Sequence, residues 1–176
     1  MNTNGDVILS QNPTDMLEQA RNYLRRVQHA LQESTDFDEI LGIRDRGEPF
    51  RQYSRQQKYG IEIQNTGAEI KIRAERRMGE LLREMKEDGE LQHGGDRKSE
   101  SRFHRATLND IGVSRTQSFR WQRTASLPES VFEAYIRETK ERQEEITTNA
   151  ILAIVHARLK EERTKKSSIR PVIPAP

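Results

Sequence analysis

The chain has 176 residues and no cysteine, and its 30 Lys and Arg nearly balance its 28 Asp and Glu. Hydrophobic residues make up 32%, charged residues 33%, and the mean hydropathy is −0.96. This composition excludes disulfides and thiolate metal sites, and it favours long exposed helices over one compact core. No apolar run approaches the roughly 20 residues that span a bilayer. We therefore expect no membrane partner and a cytoplasmic location.

The N-terminal part predicts capped helices. Residues 1–12 are largely polar and are predicted to be disordered. Pro13-Thr14-Asp15 is typical of a helix start, and apolar residues on one face then continue to about Glu33. Ser34-Thr35-Asp36 is predicted to end that helix and to cap the next.

The second predicted helix is short because Gly47 and Pro49 interrupt the pattern. A third helix is then expected to carry Phe50 and Tyr53 on its inward face and to fade near Gly60.

The longest helical pattern runs from Ile61 to Met85. Its apolar residues recur at steps of three to four, and oppositely charged residues lie four apart on the other faces. Such a stripe needs a partner, which is either the first helix or a second copy of the chain. Because Thr66 and Arg77 interrupt the heptad, we favour a helical bundle or a short dimer interface over an extended coiled coil. This helical region is assigned to residues 13–88.

Residues 89–101 are predicted to form a flexible linker, since they contain three glycines and two serines. His93-Gly94-Gly95 lacks the spacing of a phosphate-binding loop, and a hinge is the favoured interpretation.

Thr107 to Pro128 predicts two short helices joined by a turn at Gly112. Apolar residues of the first helix would pack on the second, and Ser114 can cap the second helix near Gln117. That second helix, predicted from Arg115 to about Ala125, carries arginine, threonine and glutamine side chains suited to phosphates and base edges.

A basic segment surrounds this motif. Seven basic and two acidic residues lie between Arg97 and Arg123, which gives a local charge of +5 in a chain whose net charge is +2. A localised positive charge of this kind is typical of a nucleic-acid site.

The C-terminal part predicts two further helices. Leu127-Pro128-Glu129 starts one, a charged connector follows over 139–145, and Thr147 or Thr148 caps the last. The module is assigned to residues 102–163, and residues 164–176 are predicted to be a disordered tail.

The segment GVSRTQSFRW resembles the helix-turn-helix of bacterial DNA-binding proteins. In that motif the buried positions of the second helix correspond to Ser118 and Trp121. Ser118 stands where the family usually has valine or isoleucine, which predicts a looser helix–helix contact.

The order of elements after this motif also resembles the DNA-binding part of ParB-like partition proteins. A stronger resemblance, over roughly residues 45–135, is to small phage- and plasmid-borne proteins that share RAERRMGELL, a Gly-Gly linker and TLNDIGVSRTQSFRWQ. The nucleotide-binding domain of the ParB-like proteins has no counterpart here, so no nucleotidase activity is carried over.

These patterns predict an all-α protein with an N-terminal bundle or dimerisation helices and a C-terminal helix-turn-helix module. The predicted function is sequence-specific binding of double-stranded DNA, as a regulator or maintenance factor of a mobile element, by a homodimer joined through the N-terminal helices. The predicted DNA-binding residues are Arg102, Arg105, Ser114, Arg115, Thr116, Gln117, Phe119, Arg120 and Arg123.

The alternative is a helical interaction protein in which the helix-turn-helix is only a packing unit. Exposed Phe119 suits either a thymine methyl or a protein surface. Four separated histidines predict no zinc site, and no catalytic motif is present, so we expect neither an enzyme nor a cofactor.

Overall fold

A computed structural model describes residues 13–91 and 105–168. The described residues confirm the all-α prediction, since Leu91 and Ala106 form only an isolated bridge and every named element is a helix. The helices are, in chain order, α1 (Pro13–Glu33), α2 (Phe37–Gln56), α3 (Ile61–Glu87), α4 (Arg115–Ala125), α5 (Glu129–Glu141) and α6 (Thr148–Ser168). None of these helices is long and apolar enough to cross a membrane. The predictions for residues 1–12, for most of the linker and for residues 169–176 of the tail lie outside the described residues.

α1 and the cap of α2 agree with the sequence pattern. α1 has the predicted limits, and its apolar face is buried from Met16 to Leu31. The Asp36 carboxylate caps α2 by accepting hydrogen bonds from the backbone N–H groups of Asp38 at 2.8 Å and Glu39 at 3.2 Å.

The predicted break at Gly47 and Pro49 is wrong, because α2 continues through both residues. Gly47 lies where α2 crosses α3: a Cβ atom added there would lie 2.8 Å from the carbonyl oxygen of Gly67, and one added at Gly67 would lie 2.6 Å from that of Gly47. The two glycines therefore allow the helix backbones to touch. This packing compensates for the backbone hydrogen bond that Pro49 removes from the helix.

α3 is the central helix. Hydrogen bonds from Arg21 to Glu62 and from Gln28 to Glu69 show that α1 runs parallel to α3. α2 runs antiparallel to both, since Arg44 lies beside Glu75 while Gly47 lies beside Gly67. The first three helices thus form an up-down-up arrangement around the apolar stripe of α3.

The stripe of α3 is covered within one chain. Ile70, Met78 and Leu82 are fully buried among residues of α1, α2 and α4, and Ile72 is buried among residues of α5 and α6. The intramolecular alternative is therefore the one observed. The prediction for Tyr53 is wrong, since this residue lies on the outer side of α2 and is 46% exposed, whereas Phe50 is partly buried beside Met16 and Ile63.

α4 has the predicted limits. Leu108, Ile111 and Val113 pack, as predicted, in the core that contains Trp121, and α3 is a further partner that was not predicted. Residues 107–112 form successive turns rather than a first short helix, and α4 packs against α3. The contact of α3 with α4 is close, because a Cβ atom added at Gly79 would lie 2.1 Å from the carbonyl oxygen of Trp121.

α5 and α6 pack on the other side of α3. Phe132, Ile136, Ile151 and Val155 form a second core with Ile72. The buried Asn65 side chain donates to the carbonyl of Glu144 at 2.8 Å and accepts from the backbone N–H of Ile146 at 3.0 Å. It thereby fixes the α5–α6 loop to α3.

Two observed boundaries differ from the predicted ones. The connector predicted over 139–145 begins at Arg142, because α5 extends to Glu141 and buries the Thr139 side chain. α6 is capped by Thr147, whose hydroxyl accepts from the backbone N–H of Ala150 at 3.2 Å. Because α6 continues to Ser168, the boundary predicted between residues 163 and 164 falls inside it.

Candidate functional site

The turn before α4 is held by its own polar side chains. Asp110 accepts hydrogen bonds from the backbone N–H and the hydroxyl of Thr107, each at 2.8 Å, and these bonds lower the pKa of its carboxyl. Gly112 has φ of +67°, a left-handed conformation that glycine adopts without strain. The negative charge of Asp110 is therefore engaged within the turn.

A capping box starts α4. The Ser114 hydroxyl accepts from the backbone N–H of Gln117 at 3.2 Å, and the Gln117 side chain accepts from the backbone N–H of Ser114 at 2.9 Å. These bonds confirm the predicted cap and satisfy two backbone N–H groups at the start of the helix.

The buried side of α4 is the predicted one. Ser118 and Trp121 are 3% and 2% exposed. The Ser118 hydroxyl accepts a hydrogen bond from the amide of Gln122 at 2.7 Å, which compensates for burying a polar group at this position. Trp121 packs near Phe37 of α2, with ring centroids 6.4 Å apart.

A buried carboxylate lies beneath Trp121. Glu75 of α3 is 5% exposed and lies beside Arg44, and it accepts a hydrogen bond from the Thr148 hydroxyl at 3.2 Å. Burial raises the pKa of Glu75, while the charges of Lys71 and Arg44 and hydrogen bonds from Thr148 and Trp121 oppose this rise. The Arg44 guanidinium also lies over the Trp121 ring, 5.4 Å from its centroid. Glu75 of α3 therefore joins Trp121 of α4 to Arg44 of α2 and to Thr148 of α6.

The opposite side of α4 faces outward. Thr116, Phe119, Arg120 and Arg123 recur at helical spacing on this side. Phe119 is 55% exposed, and the Arg123 guanidinium lies over its ring, 5.0 Å from the centroid. This outward side, together with Arg115 at its start, is called the α4 face below.

A cleft of about 520 Å³ lies along one flank of the α4 face. Its basic side chains come from two helices, and none of the described residues that line it carries a carboxylate. These basic residues are Arg83 and Lys86 of α3 and Arg115 and Arg123 of α4. We call this space the α3–α4 cleft.

A second cleft, of about 380 Å³, lies on the other flank and includes Gln117, Arg120 and the start of α6. Its basic side chains are largely neutralised: Lys71 pairs with Glu48 at 3.0 Å, and Arg51 pairs with Glu145. The α3–α4 cleft therefore carries the less compensated positive charge.

The structure brings most of the predicted site residues together. The side chains on the α4 face share one surface, while those of Ser114 and Gln117 serve the helix cap. Arg105 lies before the turn and is half-buried, and Arg102 lies outside the described residues.

Sequence reasoning missed Arg83 and Lys86. They belong to a helix whose other basic residues form ion pairs, and they lie about 30 residues before α4. No sequence signal marks them, because Glu87 and Glu90 lie four positions after them and predict ordinary ion pairs.

Among residues 13–91 and 105–168, no three histidine, aspartate or glutamate side chains form a cluster that could hold a metal ion. Comparison with protein-family models, curated proteins and solved structures finds no significant match to this chain.

Proposed function

We propose that this chain is a sequence-specific DNA-binding protein that inserts the α4 face into the major groove. The observation that supports this proposal is an outward helix face with three arginines and no acidic residue. A capped helix of this width fits the major groove, which is about 12 Å wide.

The charge of the α4 face is available for a ligand. Among the described residues, no carboxylate lies within salt-bridge distance of Arg115, Arg120 or Arg123, whereas several arginines of α3 pair with glutamates. An unpaired arginine can approach phosphate without first breaking an internal ion pair, so its full charge contributes to binding.

The α4 face combines positioning and base-reading groups. Arg120 and Thr116 are suited to base edges, Phe119 to a thymine methyl, and Arg115 and Arg123 to the adjacent phosphates. In this proposal, α4 acts as the recognition helix of the module predicted over residues 102–163, and the turns of residues 107–112 stand in place of the first short helix that the family resemblance implies. A role in regulation or maintenance of a mobile element is part of the same proposal.

The structure changes how a dimer would form. The apolar stripe of α3 is already buried within one chain, so two copies joined through the N-terminal helices would use the outer sides of α1 and α2. Tyr53 is the large hydrophobic residue exposed there. A dimer predicts a two-fold symmetric site, which selection of bound DNA from a random library would reveal.

The proposal is tested with a double variant and a charge-matched control. Arg115→Ala with Arg120→Ala removes two charges from the α4 face. Arg137→Ala with Arg142→Ala removes two charges from exposed positions on or just after α5, where both side chains pair with nearby glutamates. Fluorescence anisotropy with the selected DNA should show a loss of about 30-fold or more for the first pair, at ~1 kcal/mol or more per contact, and little loss for the control.

A salt series adds an independent measurement. Binding through four to six phosphates should weaken by about 10²- to 10³-fold between 50 and 200 mM salt. If the first double variant binds the selected DNA as tightly as the unchanged protein, the proposal is wrong.

The alternative is a protein-interaction surface on the α4 face. Exposure of Phe119 favours it, since a large exposed aromatic residue is also typical of a protein-binding surface. No measurable DNA affinity at 50 mM salt would favour this alternative.

A further inference from the structure

The basic residues of α3 divide into two groups by their partners. Those in its first two thirds pair with carboxylates: Lys71 with Glu48, Arg73 with Glu69 and Glu133, Arg76 with Glu80 and Glu129, and Arg77 with Glu80 and Glu84. The last two, Arg83 and Lys86, donate instead to neutral oxygens of α4. The change occurs where α3 crosses α4, just after Gly79.

We propose that Arg83 and Lys86 bind the sugar-phosphate backbone of DNA, which makes α3 a second DNA-contacting helix beside α4. This inference depends on the proposed function, and it extends the site to residues outside the helix-turn-helix segment. It identifies the ligand of the α3–α4 cleft as a phosphodiester group.

The hydrogen bonds of these two residues orient them without neutralising them. Arg83 Nη2 donates to the carbonyl oxygen of Ala125 at 2.9 Å, and Lys86 Nζ donates to Gln122 Oε1 at 2.8 Å. A guanidinium has five N–H donors and an ammonium has three, so each keeps donors for a further acceptor. Both groups therefore retain their charge and a defined position.

The position of the α3–α4 cleft fits a DNA backbone. When a helix lies in the major groove, the phosphates of the two strands pass along its flanks. Arg83 and Lys86 line one flank of α4 together with Arg115 and Arg123. These four basic side chains, with no carboxylate among the described residues of the lining, provide the positive potential that a row of phosphates requires.

The crossing at Gly79 makes this arrangement rigid. The helix backbones lie in contact there, so the end of α3 is held at a fixed distance from the α4 face. Donors held in place before binding lose less conformational entropy when the ligand arrives.

Lys86→Ala tests the inference, with binding to the selected DNA measured across a salt series. Removing one phosphate contact should lower the slope of log affinity against log salt by about 0.9. Between 50 and 200 mM salt the variant should then lose about 3.5-fold less affinity than the unchanged protein. The loss at low salt should be similar for the selected sequence and for unrelated DNA, because a phosphate carries no sequence information.

Two controls separate the charge from its internal hydrogen bond. Gln122→Ala removes the partner of Lys86 but keeps the ammonium, and it should leave the salt slope unchanged. Arg137→Ala removes one exposed charge from α5 and should also leave the slope unchanged.

The outcomes distinguish this inference from the proposed function. If the unchanged protein does not bind DNA, both are wrong. If it binds DNA but Lys86→Ala keeps the original slope, or Gln122→Ala lowers the slope equally, only the role of α3 is overturned. A lowered slope for Lys86→Ala alone supports it.

Discussion

Replacing Gly79 with alanine tests the contact that fixes α4 on α3. The added Cβ atom would lie 2.1 Å from the carbonyl oxygen and 2.4 Å from the carbonyl carbon of Trp121. Both are backbone atoms, so no side-chain rotation relieves the overlap. The two helices must separate by roughly 1 Å, which forfeits a quarter to a half of the dispersion energy of the contacting atoms.

The expected change combines two effects. Overpacking of this kind costs about 1–3 kcal/mol, and more where the neighbour is rigid, while Gly→Ala in a helix gains about 1 kcal/mol through propensity. We therefore expect Gly79→Ala to lower the free energy of unfolding by about 2 kcal/mol.

Gly42→Ala is the matched control. Gly42 also lies inside a helix, but the nearest atom to its added Cβ is the flexible end of Arg46, at 3.7 Å. This variant should raise the free energy of unfolding by about 0.5–1 kcal/mol. Urea denaturation followed by circular dichroism and tryptophan fluorescence measures both variants. If Gly79→Ala is as stable as Gly42→Ala, the backbones of α3 and α4 do not lie in contact at Gly79.

Two further predictions concern the cap of α4 and an ion pair on α3. Ser114→Ala should lower the free energy of unfolding by about 1 kcal/mol in urea denaturation, because the backbone N–H of Gln117 loses its hydroxyl acceptor, whereas an equally stable variant would contradict the cap. The hydrogen bonds that Arg73 donates hold the pKa of Glu133 below its usual 4.5, so the ionised carboxylate stabilises the fold above that pH, and this contribution disappears as the pH falls through the lowered pKa. Glu133→Gln should therefore be less stable than the unchanged protein at pH 7 and equal to it in strong acid, and a stability difference that is constant from pH 7 to pH 3 would contradict the ion pair.

The sequence was sufficient to predict helix limits and caps, because short-range interactions determine them. The limits of α1 and α4 and the caps at Asp36 and Ser114 depend on neighbours within four residues, and the periodicity of α4 places Trp121 on its buried side. Helical periodicity and cap preferences describe such interactions directly, and the structure confirms these predictions.

Predictions failed where contact with a distant segment of the chain determines the structure. Gly47 was interpreted as a helix break because propensity takes no account of Gly67, which packs against it. The contact of α4 with residues 107–112 was predicted, but its contact with α3 was not, since α3 is distant in sequence. Arg83 and Lys86 were missed for the same reason, because their proximity to α4 follows from the helix crossing at Gly79.

The Asn65 side chain has a consequence for the order of folding. It bonds the backbone of Glu144 and Ile146, which lie about 80 residues further along the chain. Because closing so large a loop costs much chain entropy, these two bonds form only after α3 and the helices between have been placed. Truncating Asn65 should therefore accelerate unfolding while leaving the refolding rate nearly unchanged, as expected for an interaction that is absent from the transition state.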